Sequence, residues 1–134
     1  MRLPNRLSEP AACSPHALMQ RKRIVNALWR FMERFDFLIT PTTACAAFPI
    51  DLDGPTHIDG QPVSTVAWLP FSSLANLTGL PAASVPAGFT DEGLPVGLQI
   101  MGRHLDDRGV LALAAVVERV TASGARRPGV CAAG

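Results

Sequence analysis

Lysine is nearly absent from this sequence. Lys22 is the only one among 12 basic residues, which face 11 acidic ones and leave a net charge of +1. A chain so close to neutral is not a nucleic-acid or membrane-surface binder driven by bulk charge. Charged residues make up only 17% and apolar residues 48%, the proportions of a globular chain rather than a disordered or fibrous one. Cysteine is scarce too: Cys13, Cys45 and Cys131 are odd in number and never at CxxC spacing. They read as free thiols in a reducing cytoplasm. No stretch approaches the roughly 18 uninterrupted apolar residues of a membrane-spanning helix. Met1 is not followed by a basic segment and an apolar one, so no signal peptide is expected. The expectation is a soluble, cytoplasmic protein of one domain, with no nucleic-acid or membrane partner.

Motifs that announce chemistry are also missing. His16, His57 and His104 are the only histidines, and no pair has HExxH or zinc-finger spacing. There is no GxSxG nucleophile elbow and no glycine-rich phosphate loop. His104 with Asp106 and Asp107 reads as a solvated helix start. His57 with Asp51, Asp53 and Asp59 reads as a polar surface loop. No metal and no cofactor is expected.

The residues that are present have a clear order. Ser14-Pro15 resembles an N-cap followed by proline in the first turn. Apolar residues then recur at helical spacing: Leu18, Val25, Leu28, Met32 and Phe35 form a stripe that Ile24 and Phe31 widen. Phe37-Leu38-Ile39-Thr40 reads as a buried strand stopped by Pro41. Residues 41–63, rich in proline and glycine, read as one long irregular loop of the kind that carries function. Helical spacing returns from Ser64 to Thr78, with Pro70 expected to break or kink it and Gly79 to end it. Ala83-Ser84-Val85 and Val96 to Met101 read as strands on either side of the turn Asp91-Glu92-Gly93, an antiparallel hairpin. Pro86 points to an edge or a bulge. A last amphipathic helix runs from Asp106 to about Ala122, with Val110, Leu113, Val117 and Val120 on one stripe. The class is α/β.

Three of these segments carry a resemblance. Phe35-Asp36-Phe37-Leu38-Ile39-Thr40-Pro41-Thr42-Thr43 is similar to the "fDvlltPTt" segment of the amidase-signature family. Ala75-Asn76-Leu77-Thr78-Gly79-Leu80-Pro81, continuing to Phe89, resembles "NltGlPaisvPaGf". Asp91-Glu92-Gly93-Leu94-Pro95-Val96-Gly97-Leu98-Gln99-Ile100-Met101-Gly102 resembles "dGLPvGlQlig". The likeness covers roughly residues 16 to 122 with the spacing intact.

The resemblance implies the C-terminal part of that fold: a mixed β-sheet of about three strands, one hairpin, packed by about three helices. The domain so identified spans residues 16–124, between a loose arm (1–15) and a flexible tail (125–134). The family hydrolyses amide C–N bonds with a nucleophilic serine, a second serine in a cis peptide and a lysine base, aided by backbone N–H groups at the oxyanion. Those residues belong to the family's N-terminal part and match nothing here, so no catalytic residue is assigned. Ser72-Ser73 lies on a helical segment without a glycine loop, and Lys22 on the polar side of the first helix. In the glutamine-using amidotransferases an arginine of the first helix meets the substrate carboxylate, and Arg21 matches it by its distance from Asp36. The partner aspartate's position falls on Leu69, which places the chain with general amidases. The expected contribution is one wall of an acyl pocket for a small carboxamide, lined by Thr42, Thr43, Trp68 and Arg21. Alone the chain is expected to be inactive, completed by an N-terminal amidase half. The alternative is a non-catalytic remnant or interaction module. The segment is also expected to self-associate, with strand flanks at Phe37–Thr40, Ala83–Val85 and Val96–Met101 and helix faces at Leu28, Phe31, Leu113 and Val117 uncovered.

Overall fold

The computed structural model describes residues 15–123. The expected arm (1–15, except Pro15) and tail (125–134) lie outside the described residues, as do Cys13, Ser14 and Cys131. Eight elements follow one another: α1 (Pro15–Met32), β1 (Phe37–Pro41), β2 (His57–Ile58), β3 (Gln61–Pro62), α2 (Pro70–Thr78), β4 (Ala82–Phe89), β5 (Pro95–Gly102) and α3 (Asp107–Thr121). No helix among them is long and apolar enough to cross a membrane.

Local chemistry accounts for the boundaries. Pro70 opens α2 instead of kinking a longer helix, because the first turn has no use for the N–H that proline lacks. Residues 65–68 before it form turns only. Gly79 closes α2 in the left-handed conformation at φ 70°, its N–H donating to the Ala75 carbonyl at 2.9 Å. Asp106 caps α3, its carboxylate accepting from the Gly109 N–H at 2.9 Å. The long loop is not wholly irregular. Asp59 and Gly60 both have positive φ, 50° and 71°, and they join β2 to β3 as the two-residue turn that an Asp-Gly pair favours.

The main sheet has the order β1-β5-β4, and both pairings are antiparallel. Pro41 ends an edge strand. Thr42 N–H donates to the Gly97 carbonyl at 2.9 Å, so by alternation the missing N–H of Pro41 faces the open edge, where no ladder bond is lost. In β4 the register slips between Pro86 and Gly88, the bulge that Pro86 led us to expect.

Helices cover both faces of the sheet. Met101 packs with Leu28 and Met32 of α1 and with Leu80, and Leu38, Phe31 and Leu74 close around them. Its neighbour Ile100 points to the opposite face and packs with Val85 and with Val110 and Ala114 of α3. Both side chains are 0% exposed. Gly102 lets α3 approach, since a Cβ there would lie 2.5 Å from Val110 Cγ2.

Three expectations are corrected. The helix faces thought to be uncovered are not: Leu28 is buried, and Phe31, Leu113 and Val117 are half-buried against the two clusters. Strand β5 is the centre of the sheet, so Leu98 to Met101 have partners on both sides, while Val96 pairs with β4 alone. The exposed apolar residues on the helices are Leu18, Met19, Ile24 and Trp29 of α1 and Leu111, Val116 and Val120 of α3. Strand β1 is an edge strand and not the buried one expected, and Ile39 within it is exposed.

The alternation generates a test. Ile100→Ala should cost about 3 kcal/mol of unfolding free energy, whereas Leu111→Ala should stay within about 0.5 kcal/mol. Urea unfolding followed by circular dichroism distinguishes the two, and equal losses would contradict the burial just described.

Candidate functional site

The face of the sheet under α1 and α2 changes character along β5. Its residues there are Met101, Gln99 and Gly97, by the two-residue period of a strand. The register sets Leu38 and Ala82 beside Met101, and Thr40 and Ser84 beside Gln99. The Met101 end lies in the core. Gln99 is buried as well, and its side-chain amide donates to the Phe71 carbonyl at 2.9 Å and to Thr40 Oγ1 at 3.3 Å. That ties the start of α2 to the middle of the sheet and satisfies a polar group that burial would otherwise penalise.

Beyond Gln99 the third position is Gly97. Strands β1 and β4 stand two spacings apart there, about 9.6 Å. Yet the hydroxyls of Thr42 and Ser84, from opposite sides of β5, meet at 2.6 Å. They meet because nothing stands between them: a Cβ at position 97 would lie 2.7 Å from Thr42 Oγ1 and 3.1 Å from Ser84 Oγ.

This hydroxyl pair borders a cleft of about 560 Å³. One wall is the loop after β1, from Thr42 to Phe48; Trp68 lies against that loop, and Pro86, Pro95 and Val96 of the hairpin complete the cleft. Thr43 Oγ1 donates to the Cys45 carbonyl at 2.8 Å, which folds the loop back on itself. Ala44 N–H donates to the Trp68 carbonyl at 3.2 Å and holds the loop against the turn before α2. Phe48 meets Trp68 edge-on, with ring centres 6.1 Å apart and planes at 64°. Among the described residues no Arg, Lys, Asp, Glu or His lines the cleft.

Of the four residues expected to line a pocket, Thr42, Thr43 and Trp68 come together in this cleft. Arg21 is not among its lining residues. Its Nε donates to the Leu77 carbonyl at 3.1 Å, an arginine on the last carbonyls of α2. Ser72 Oγ donates locally to the Leu69 carbonyl at 3.2 Å. Lys22 is exposed, and its side chain has no hydrogen bond or ion pair among the described residues. His104 sits with its ring 5.7 Å from that of Trp29. Among the described residues no group of three or more His, Cys, Asp or Glu is placed to hold a metal ion. Sequence reasoning missed Ser84, Gly97 and Phe48 as parts of the site. A signal for the first was available: closing the hairpin at Asp91-Glu92-Gly93 and allowing one bulge at Pro86 sets Ser84 opposite Gln99.

Residues 2–111 match the family model described as Amidase. The chain belongs to the amidase family. Among curated amidase relatives, it is 39% identical over 103 residues to a glutamyl-tRNA(Gln) amidotransferase subunit of Thermodesulfovibrio yellowstonii, covering 75% of this chain and 20% of that one. It is 37% identical over 108 residues to fatty acid amide hydrolase of Medicago truncatula, covering 81% and 18%. The chain thus spans about a fifth of the length of these relatives. Among solved structures it resembles a bacterial aryl acylamidase of the amidase-signature enzymes, with a TM-score of 0.75 and 31% identity over 91% of this chain and 27% of that one.

The Gln99 anchor gives the amidase hairpin a measurable dependence. Gln99→Leu keeps the volume but leaves the Phe71 carbonyl without its donor, at an expected cost of roughly 1–3 kcal/mol. Urea unfolding measures it, and a loss under about 0.5 kcal/mol would show that the carbonyl has found another partner.

Proposed function

We propose that this chain forms one wall of the acyl pocket of an amide C–N hydrolase, with the nucleophilic serine and its base supplied by polypeptide outside these 134 residues. The observation that carries the reading is the cleft itself: an uncharged, largely apolar recess whose polar groups converge on a pair of hydroxyls, as small-molecule sites are built. It lies in a chain of the amidase family. Thr42, Thr43 and Trp68 line the pocket, and Arg21 serves the structure by holding α1 on α2. The substrate class is that of a general amidase. Leu69, where the resemblance places the amine-binding aspartate of the glutamine-using amidotransferases, cannot pair an ammonium group.

The experiment is reconstitution. The purified chain should hydrolyse a panel of simple aryl and alkyl amides no faster than buffer, since a serine without a positioned base or oxyanion donors gains little over water. Adding the separately made N-terminal part of the aryl acylamidase relative should restore hydrolysis. Stable complexes that stay inert across the panel would sink the reading, and so would turnover by the chain alone that Ser72→Ala or Lys22→Ala abolishes.

A second reading rests on a separate observation. Trp29 of α1 and Leu111 and Val120 of α3 are 51%, 65% and 80% exposed, and the outer edges of β1 and β4 have no strand beside them among the described residues. Unpaired edges and apolar patches drive association, and the chain is read here as self-associating, most simply as a two-fold dimer. Light scattering at micromolar concentration should give a mass of at least twice 14.2 kDa. A monodisperse monomer with cooperative unfolding would dismiss this reading.

A further inference from the structure

We infer that the Thr42–Ser84 hydroxyl pair is the specificity device of the cleft, selecting an uncharged carboxamide on an aromatic or branched aliphatic group and rejecting the matching acid and amine. The inference rests on the reading of the cleft as an amide pocket and names what that pocket takes.

Two hydroxyls carry two protons, and one proton is used in the 2.6 Å bond between them. Neither oxygen has another partner among the described residues. The pair therefore keeps one free O–H donor and free lone pairs, side by side. A carboxamide offers the complement on one small group, a carbonyl that accepts and an N–H that donates. A carboxylate offers only acceptors and an ammonium only donors, so each leaves one half of the pair unmatched.

Charge sharpens the choice. Among the described residues no ionisable side chain other than Cys45 lines the cleft, so a carboxylate or ammonium gives up part of its water against the apolar lining and meets no counter-charge in return, at a cost that an uncharged amide does not bear. The crossed rings of Phe48 and Trp68 offer an aromatic or branched substituent an apolar surface of matching kind. Gly97 keeps the pair together, because any side chain there would enter the space the two oxygens occupy. Within the hairpin, glycine at this one position decides whether the floor of the cleft is a hydroxyl pair or a methyl group.

The test is binding, which needs no catalysis. In the full chain Trp29→Phe leaves Trp68 as the only tryptophan, so its fluorescence reports the cleft. Benzamide should give a saturable change, with benzoate and benzylammonium at least about tenfold weaker. Ser84→Ala and Thr42→Val should each weaken benzamide about three- to tenfold and leave fluorobenzene, which has no amide, unchanged. Gly97→Ala should weaken benzamide at least as much, with the circular dichroism spectrum retained. The proposal is overturned if benzoate binds as tightly as benzamide, if both hydroxyl variants bind benzamide like the parent, or if no probe saturates. The two readings fail separately. Reconstituted hydrolysis with an unaltered rate in Ser84→Ala would remove the specificity device and keep the amidase, whereas selective benzamide binding with no reconstituted hydrolysis would do the reverse.

Discussion

Strand β5 carries a demand that no other strand in the described residues meets: a neighbour on each edge and helices over both faces. Every side chain on it is therefore constrained. Ile100 and Met101, adjacent in sequence, must both be apolar because one serves the α3 face and the other the α1 and α2 face. Gly102 must be small because Val110 stands over it. Gln99 is tolerated only because Phe71 and Thr40 accept its protons. Helices α1 and α2 pack on one another over one face and α3 lies on the other, and the two faces meet through this strand. Two small clusters on one strand take the place of a single large core, and the hairpin to β4 and the pairing with β1 fix where each helix can sit.

The cleft is a consequence of the same strand running out of side chains. As β5 passes from Met101 through Gln99 to Gly97, the face under α1 and α2 changes from apolar, to polar and paired, to empty. The vacancy draws the flanking strands' hydroxyls into contact and leaves a recess above them. Its remaining wall is the loop after β1, pinned by the Ala44–Trp68 backbone bond and by the Thr43 hydroxyl. The site is thus shared between the hairpin strands, which supply Ser84 and Gly97, and the loop after β1, which supplies Thr42, Thr43 and Phe48.

The exposed apolar side chains follow from the chain's small size. A chain that spans about a fifth of its curated relatives has few elements with which to cover its helices on the outside. The two clusters consume the middle of each stripe; Leu18 and Val120, expected on the buried stripes of α1 and α3, are exposed at their ends, as are Trp29 and Leu111.

Much of this was legible in the residues. Helical periodicity fixes α1 and α3 to within a few residues; Gly79 ends α2, the turn at Asp91 to Gly93 makes the hairpin, and Pro86 marks the bulge, all from local backbone chemistry. The amidase resemblance was legible for the same reason, since it is carried by contiguous segments. Thr42, Thr43 and Trp68 could be nominated together, but not shown to share a cleft. What sequence could not decide was everything that depends on which strand lies between which. The order β1-β5-β4 put β5 at the centre, covered Leu28 and Phe31, and sent Arg21 to the end of α2. It also brought Thr42 and Ser84, 42 residues apart, to 2.6 Å across a glycine. Contacts of that kind join residues far apart in the chain through a third strand, and no local pattern records them until tertiary packing chooses the order of the sheet.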